Sequence, residues 1–116
     1  MNELTRIERE RNILLPQVYK DFYNLCSSSL PQNLVGTDLV NNYEELNNWA
    51  VDLLNEDKAE NFLSPDHFVF MMHQGYIFWY FKADGNPDPT VYVYRENKLI
   101  PDALQPFSKF IKDYIR

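Results

Sequence analysis

The side chains best equipped for chemistry in this sequence are Cys26, His67 and His73, with Asp66, Asp84 and Asp88 as neighbouring carboxylates. A thiol paired with an imidazole would make a nucleophile. Cys26, however, stands beside Phe22 and Leu25 on the apolar side of a predicted helix, with no catalytic signature around it. A free cysteine in that setting is an inert core residue. His67 and His73 lie six positions apart along a predicted strand, roughly 20 Å, too far to share a metal. No CxxC or HExxH spacing exists elsewhere. The glycines Gly36, Gly75 and Gly85 are isolated, so no loop can cradle a phosphate. The run Asp84-Gly85-Asn86-Pro87-Asp88 lacks the later glutamate of a calcium loop and reads as a turn. The expectation is a protein with no catalytic residue, no metal and no cofactor.

Charge points elsewhere. The net charge is −6. Residues 1–36 and 67–116 are close to neutral. Residues 37–66 carry Asp38, Glu44, Glu45, Asp52, Glu56, Asp57, Glu60 and Asp66 against Lys58 alone. A phosphate-binding surface needs the opposite sign, which argues against nucleic acid. An acidic stretch instead attracts a basic protein and speeds its encounter, and it also serves solubility as a solvated face. One cysteine cannot form an internal disulfide. The charged N-terminus is not a signal peptide, and no apolar run approaches the ~20 residues of a membrane span, so a cytoplasmic protein is expected.

These residues must be positioned by one domain, residues 1–116, of α+β class. Ile7 to Leu15 reads as a helix, with Leu4, Ile7, Arg11 and Leu14 on one stripe. Pro16 ends it and opens a second helix to Cys26, where Val18, Phe22, Leu25 and Cys26 share a face flanked by Tyr19 and Tyr23. Leu34 to Val40 reads as a short edge strand. Asn42-Tyr43-Glu44-Glu45 has the form of a helix start. The helix that follows carries Leu46, Trp49, Ala50, Leu53 and Leu54 on one side, with Glu44, Asn48, Asp52 and Asn55 opposite. Phe68 to Met72, Tyr76 to Phe81 and Thr90 to Tyr94 read as strands. The turns between them are at His73-Gln74-Gly75 and Ala83 to Pro89. Leu99 and Ile100 follow a turn at Glu96-Asn97-Lys98. Pro106 to Arg116 forms a closing helix with the stripe Phe107, Phe110, Ile111, Tyr114 and Ile115.

Strand parity sorts the aromatics. Ile77, Trp79 and Phe81 point one way, and Tyr76, Phe78 and Tyr80 the other. If Val91 and Val93 join the first set, helices cover that side, and Tyr76, Tyr80, Tyr92 and Tyr94 gather around Phe78 on the second. Tyrosine suits a half-wet interface. The alternative is that a helix or loop packs on them.

In order, the pieces Leu15-Pro16, Tyr19-Lys20-Asp21-Phe22-Tyr23, Phe68-Val69-Phe70, Gly75-Tyr76-Ile77-Phe78-Trp79-Tyr80-Phe81, Val91-Tyr92-Val93-Tyr94 and Phe107-Ser108-Lys109-Phe110-Ile111 resemble the SUKH superfamily, which includes the Smi/Knr cell-wall regulators. Each piece alone is weak, and their order and spacing carry the resemblance. The chain departs from many members in having Ser27-Ser28-Ser29 where an Asn-Gly pair is common. The resemblance implies N-terminal helices and a C-terminal helix packed on a mostly antiparallel sheet. It also implies a non-enzymatic role, in bacteria that of an immunity protein that binds and neutralises a toxin domain, often a nuclease. The alternatives are a regulatory adaptor of the Smi/Knr type and a small-ligand-binding domain using the aromatic face. The expected partner-binding residues are Glu44, Glu45, Asp52, Glu56, Asp57, Tyr76, Tyr80, Tyr92 and Tyr94. The expected assembly is a monomer or a homodimer.

Overall fold

A computed structural model describes residues 3–28, 37–39, 43–64, 66–73 and 76–114. Side chains at positions 3, 27, 28, 37–39 and 43–45 lie outside that description. The first helix, α1 (Glu3–Arg11), stops four residues earlier than its apolar spacing suggests. Asn12 turns left-handed at φ 55°, and the Ile13 N–H bonds back to the Glu8 carbonyl at 3.1 Å. This is a Schellman ending, and asparagine is among the few residues that tolerate its left-handed position. The stripe therefore breaks after Ile7. Leu14 is 70% exposed, while Ile13 and Leu15 turn inward. The Glu8 carboxylate takes the Leu15 N–H at 2.9 Å and sits 3.4 Å from Lys20 Nζ, tying this turn to the next helix.

That helix, α2 (Gln17–Ser28), begins as Pro16 suggests. The proline carbonyl accepts from the N–H groups of Tyr19 and Lys20. The buried face differs from the expected one. Tyr19, placed on the flank by the sequence, is fully buried, and Leu25 is 45% exposed. The helix is rotated so that Tyr19 and Phe22, not Leu25, point at the sheet.

The sheet has five strands in the order β1 (Thr37–Leu39), β2 (His67–His73), β3 (Ile77–Lys82), β4 (Thr90–Arg95) and β5 (Asp102–Pro106). Every neighbouring pair is antiparallel. The expected edge strand is present as β1; positions 34–36 and 40 of that expectation lie outside the described residues. Between β2 and β3 the Tyr76 N–H bonds to the His73 carbonyl at 3.2 Å; Gln74 and Gly75 of the expected turn lie outside the described residues. The strand β5 has no counterpart in the sequence reading. It is short and bounded by Pro101 and Pro106, and proline is tolerated at a sheet edge because no ladder donor is needed there.

Register settles the parity question. Trp79 pairs with Val93, Tyr80 with Tyr92 and Phe78 with Tyr94. Residues opposite one another share a face, so the valines do join Trp79 and Phe81. That face is covered by α1, α2 and the last helix, α4 (Phe107–Tyr114). Tyr19 lies at the centre of this layer, with its ring 5.1 Å from Phe68, 5.5 Å from Phe81 and 5.8 Å from Phe107. In β2 the pairing slips between Val69 and Met71. The bulge lets Phe70 and Met71 both enter the same layer, while Val69 and Met72 face the other way.

The opposite face is covered by α3 (Tyr43–Glu56), inserted between β1 and β2, and by the segment 59–63. Leu46, Ala50, Leu53 and Leu54 of α3 are buried on it, as the spacing suggests. The helix ends in a second Schellman motif. Ala59 N–H bonds to the Leu54 carbonyl at 2.9 Å and Lys58 N–H to the Asn55 carbonyl at 3.1 Å, with Lys58 left-handed at φ 58°. The fold is thus an α+β sandwich with helices on both sides of an antiparallel sheet. No described helix is long and apolar enough to cross a membrane.

Candidate protein-binding surface

The α3 helix has one face buried on the sheet, which leaves the opposite face to solvent. Along it Asn48, Asp52, Asn55 and Glu56 are exposed, and no basic residue occurs between Tyr43 and Glu56. Trp49, expected on the buried side, lies at the margin and is 37% exposed. Its spacing from Leu46 and Leu53 is right for the core, but β2 and β3 already fill that layer with Val69, Met72 and Phe78. Glu44 and Glu45 fall in the first turn of the same helix, where only the backbone is described.

Asp57 belongs to a different role. Its Oδ2 accepts the Tyr94 hydroxyl at 2.6 Å and the Asn97 N–H at 2.8 Å. It therefore fastens the end of α3 to the connection between β4 and β5, and that carboxylate oxygen is already engaged within the protein.

The tyrosine face is covered rather than free. Tyr80 is 3% exposed and Tyr94 is fully buried, so neither can touch a partner in this fold. Phe62 lies over them, with ring centroids 5.4 Å from Tyr80, 6.1 Å from Tyr94 and 6.4 Å from Phe78. Burial holds the Tyr80 hydroxyl far above its ordinary titration range. Tyr92 is half-buried and stacks on Tyr80 at 5.3 Å. Tyr76 alone of the four is exposed, 37%, at the turn beside His73. An amphipathic side chain suits an interface, yet Tyr80 and Tyr94 belong to the second core and Tyr92 packs against it.

The groups first considered for chemistry are also accounted for. Cys26 is half-buried against the α2 layer, and burial pushes its thiol up to about 11, well away from thiolate chemistry. His67 and His73 stand at opposite ends of β2. His67 Nδ1 accepts the Ser64 N–H, and the Ser64 hydroxyl lies between that ring and the Asp66 carboxylate. These contacts define a turn, with no bonded Asp–His pair to drive a nucleophile. Asp84 accepts from the Asn86 N–H and Asn86 from the Asp88 N–H, so the acidic loop is a pair of consecutive Asx turns. Asp88 then reaches across to cap α4, accepting the Ser108 N–H at 2.8 Å and its hydroxyl at 2.6 Å. Among the described residues no group of three or more His, Cys, Asp or Glu could hold a metal ion.

A groove of about 420 Å³ between β5 and α4 is lined by Ala103, Leu104, Gln105, Phe110, Asp113 and Tyr114. Sequence reasoning missed it because β5 itself was missed. Leu99, Ile100 and Leu104, in and just before β5, are exposed.

Helices on both faces of an antiparallel meander define a small α+β protein. The model for the SMI1 / KNR4 family (SUKH-1) matches residues 2–113, and the chain belongs to that family. No curated protein and no solved structure matches the chain.

Proposed function

We propose that this protein is a non-enzymatic, cytoplasmic binding domain that acts as an immunity protein, holding a basic toxin domain against the outer face of α3. The observation that carries the reading is that face itself: Asp52 and Glu56 exposed, Trp49 at its margin, and no base between Tyr43 and Glu56. Membership of the SUKH-1 family supports a role in binding. Electrostatic attraction would steer the partner. A half-exposed tryptophan supplies the kind of aromatic anchor that carries about 2 kcal/mol or more at an interface centre. Glu44 and Glu45 add two further acids in the first turn of the same helix. Asp57 is excluded from it because it fastens the fold.

The test is co-expression with the protein encoded next to it, followed by association kinetics. Reversal of Asp52 and Glu56 to Lys is expected to slow association at low salt while leaving the unfolding midpoint unchanged. Trp49→Ala is expected to speed dissociation. A neighbour that is harmless, or that forms no complex, removes the immunity role. An on-rate indifferent to the charge reversal removes α3 as the docking face.

A further inference from the structure

The segment that covers the aromatic face is held at its ends, not by a helix or strand of its own. Residues 59–64 have no regular secondary structure, and Ala59, Phe62 and Leu63 pack on the layer containing Phe78, Tyr80 and Tyr94. One end is fixed by the helix-terminating bonds around Lys58 and by Asp57. The other closes on His67. The Ser64 N–H donates to His67 Nδ1 at 2.9 Å, and Ser64 Oγ lies 2.8 Å from the same nitrogen. The His67 N–H returns a bond to the Ser64 carbonyl at 3.0 Å. A ring nitrogen that accepts a backbone N–H carries no proton, so this geometry requires a neutral imidazole protonated at Nε2.

We propose that the Ser64–His67 pair is a proton-operated latch, and that protonation of His67 Nδ1 releases the 59–64 segment from the aromatic face while the sheet stays folded. A proton on Nδ1 sets two N–H donors against each other. The Ser64 hydroxyl can turn to accept from the imidazolium while donating to Asp66, but the Ser64 amide is left without its acceptor. The surrounding charges oppose one another. Burial disfavours the charged ring most strongly, the Asp66 carboxylate favours it, and Lys82 of β3 and Arg11 of α1 disfavour it. The Tyr80 ring meets His67 edge-on at 5.3 Å and brings no charge. The outcome holds His67 below its ordinary value of 6.5. A base whose folded value is depressed binds fewer protons when latched. The latch is therefore at full strength above that ordinary value and weakens as pH falls beneath it.

Hydrogen exchange on the whole chain, corrected for the intrinsic pH dependence of exchange, tests this between about pH 7 and about pH 5, where histidine titrates. Protection of the Ser64 amide is expected to fall several-fold, while amides of Phe81 and Val93 keep theirs. His67→Asn places a non-titrating oxygen near the position of Nδ1 and is expected to hold Ser64 protection constant across the range. Protection that ignores pH, or that falls equally in H67N, overturns the latch. If H67N does not fold, nitrogen NMR of the wild-type imidazole decides. An unprotonated Nδ1 at neutral pH whose titration coincides with the Ser64 amide shift supports the latch, and a protonated Nδ1 overturns it.

Discussion

The hydroxyl of Tyr94 donates to Asp57 Oδ2 at 2.6 Å, joining the interior of β4 to the end of α3 across 37 residues of chain. The same oxygen accepts the Asn97 N–H at 2.8 Å, in a connection where Asn97 and Leu99 are both left-handed. One carboxylate therefore fixes the helix end, the buried phenol and an awkward turn together. Tyr94→Phe is expected to cost about 1.5 kcal/mol, the low end for a hydrogen bond to a charged group. Asp57→Ala is expected to cost more, because two donors then lose their acceptor. Urea unfolding of both variants measures this. The alkaline limb has a definite sign. Burial, followed by Asp57, pushes the Tyr94 hydroxyl up to about 12 from 10.0. The unfolded chain thus releases this proton first, and stability is lost as pH rises from about 10 through that value. Y94F is expected to flatten that limb.

Tyr19 gives the opposite result. Its ring is central to the larger core, but its hydroxyl is buried and has no hydrogen-bond partner among the described residues. A buried hydroxyl without a partner costs about 1 kcal/mol or more. Tyr19→Phe keeps the ring contacts with Phe68, Phe81 and Phe107 and removes that cost. The unfolding midpoint is expected to rise or stay level, and a clear fall would reveal a partner for the hydroxyl.

Lys58 occupies the left-handed position that ends α3, and it is exposed. A side chain there costs roughly 1–2 kcal/mol relative to glycine, although glycine recovers some of this in the unfolded chain. Lys58→Gly is expected to stabilise the protein by about 1 kcal/mol in chemical denaturation, with the native spectrum unchanged.

Asp88 holds the start of α4 from 20 residues away. Asp88→Ala is expected to cost roughly 0.5–2 kcal/mol, the range for loss of a helix cap. Exchange protection should fall first in Ser108 to Phe110, which locates the loss at the helix start. A uniform loss across the sheet would place the role of Asp88 in the 84–88 turn instead.

Where periodicity is strong, the sequence reading and the structure agree closely. Val91 and Val93 share a face because the side-chain period of a strand is two, and the pairing of Trp79 with Val93 puts that face with Trp79 and Phe81. The α3 residues Leu46, Ala50, Leu53 and Leu54 follow from the helical period in the same way. Agreement ends where a boundary or a neighbour decides. Helix α1 stops at Asn12 through backbone geometry that the apolar spacing does not record. Strand β5 carries no alternating pattern, since most of its side chains are exposed, and only pairing with β4 makes it a strand.

The candidate surface divides along the same line. Segregation of acid into residues 37–66 is a property of composition and survives in any fold. Which of those acids face solvent is not. Asp57 and Glu56 are adjacent in sequence, yet one is exposed and the other is bound to Tyr94 and Asn97. By itself the sequence determined the elements with clear periods, the alternation of faces within β3 and within β4, and the acidic bias of the middle of the chain. Only the tertiary structure decided that the tyrosine face is a core. Parity puts Tyr92 and Tyr94 on one face of β4 and Tyr80 on one face of β3; the pairing of the two strands makes those faces one, and neither says what lies above them. That depends on a non-local event, the return of α3 and Phe62 over the sheet, which buries apolar area contributed by residues far apart in the chain.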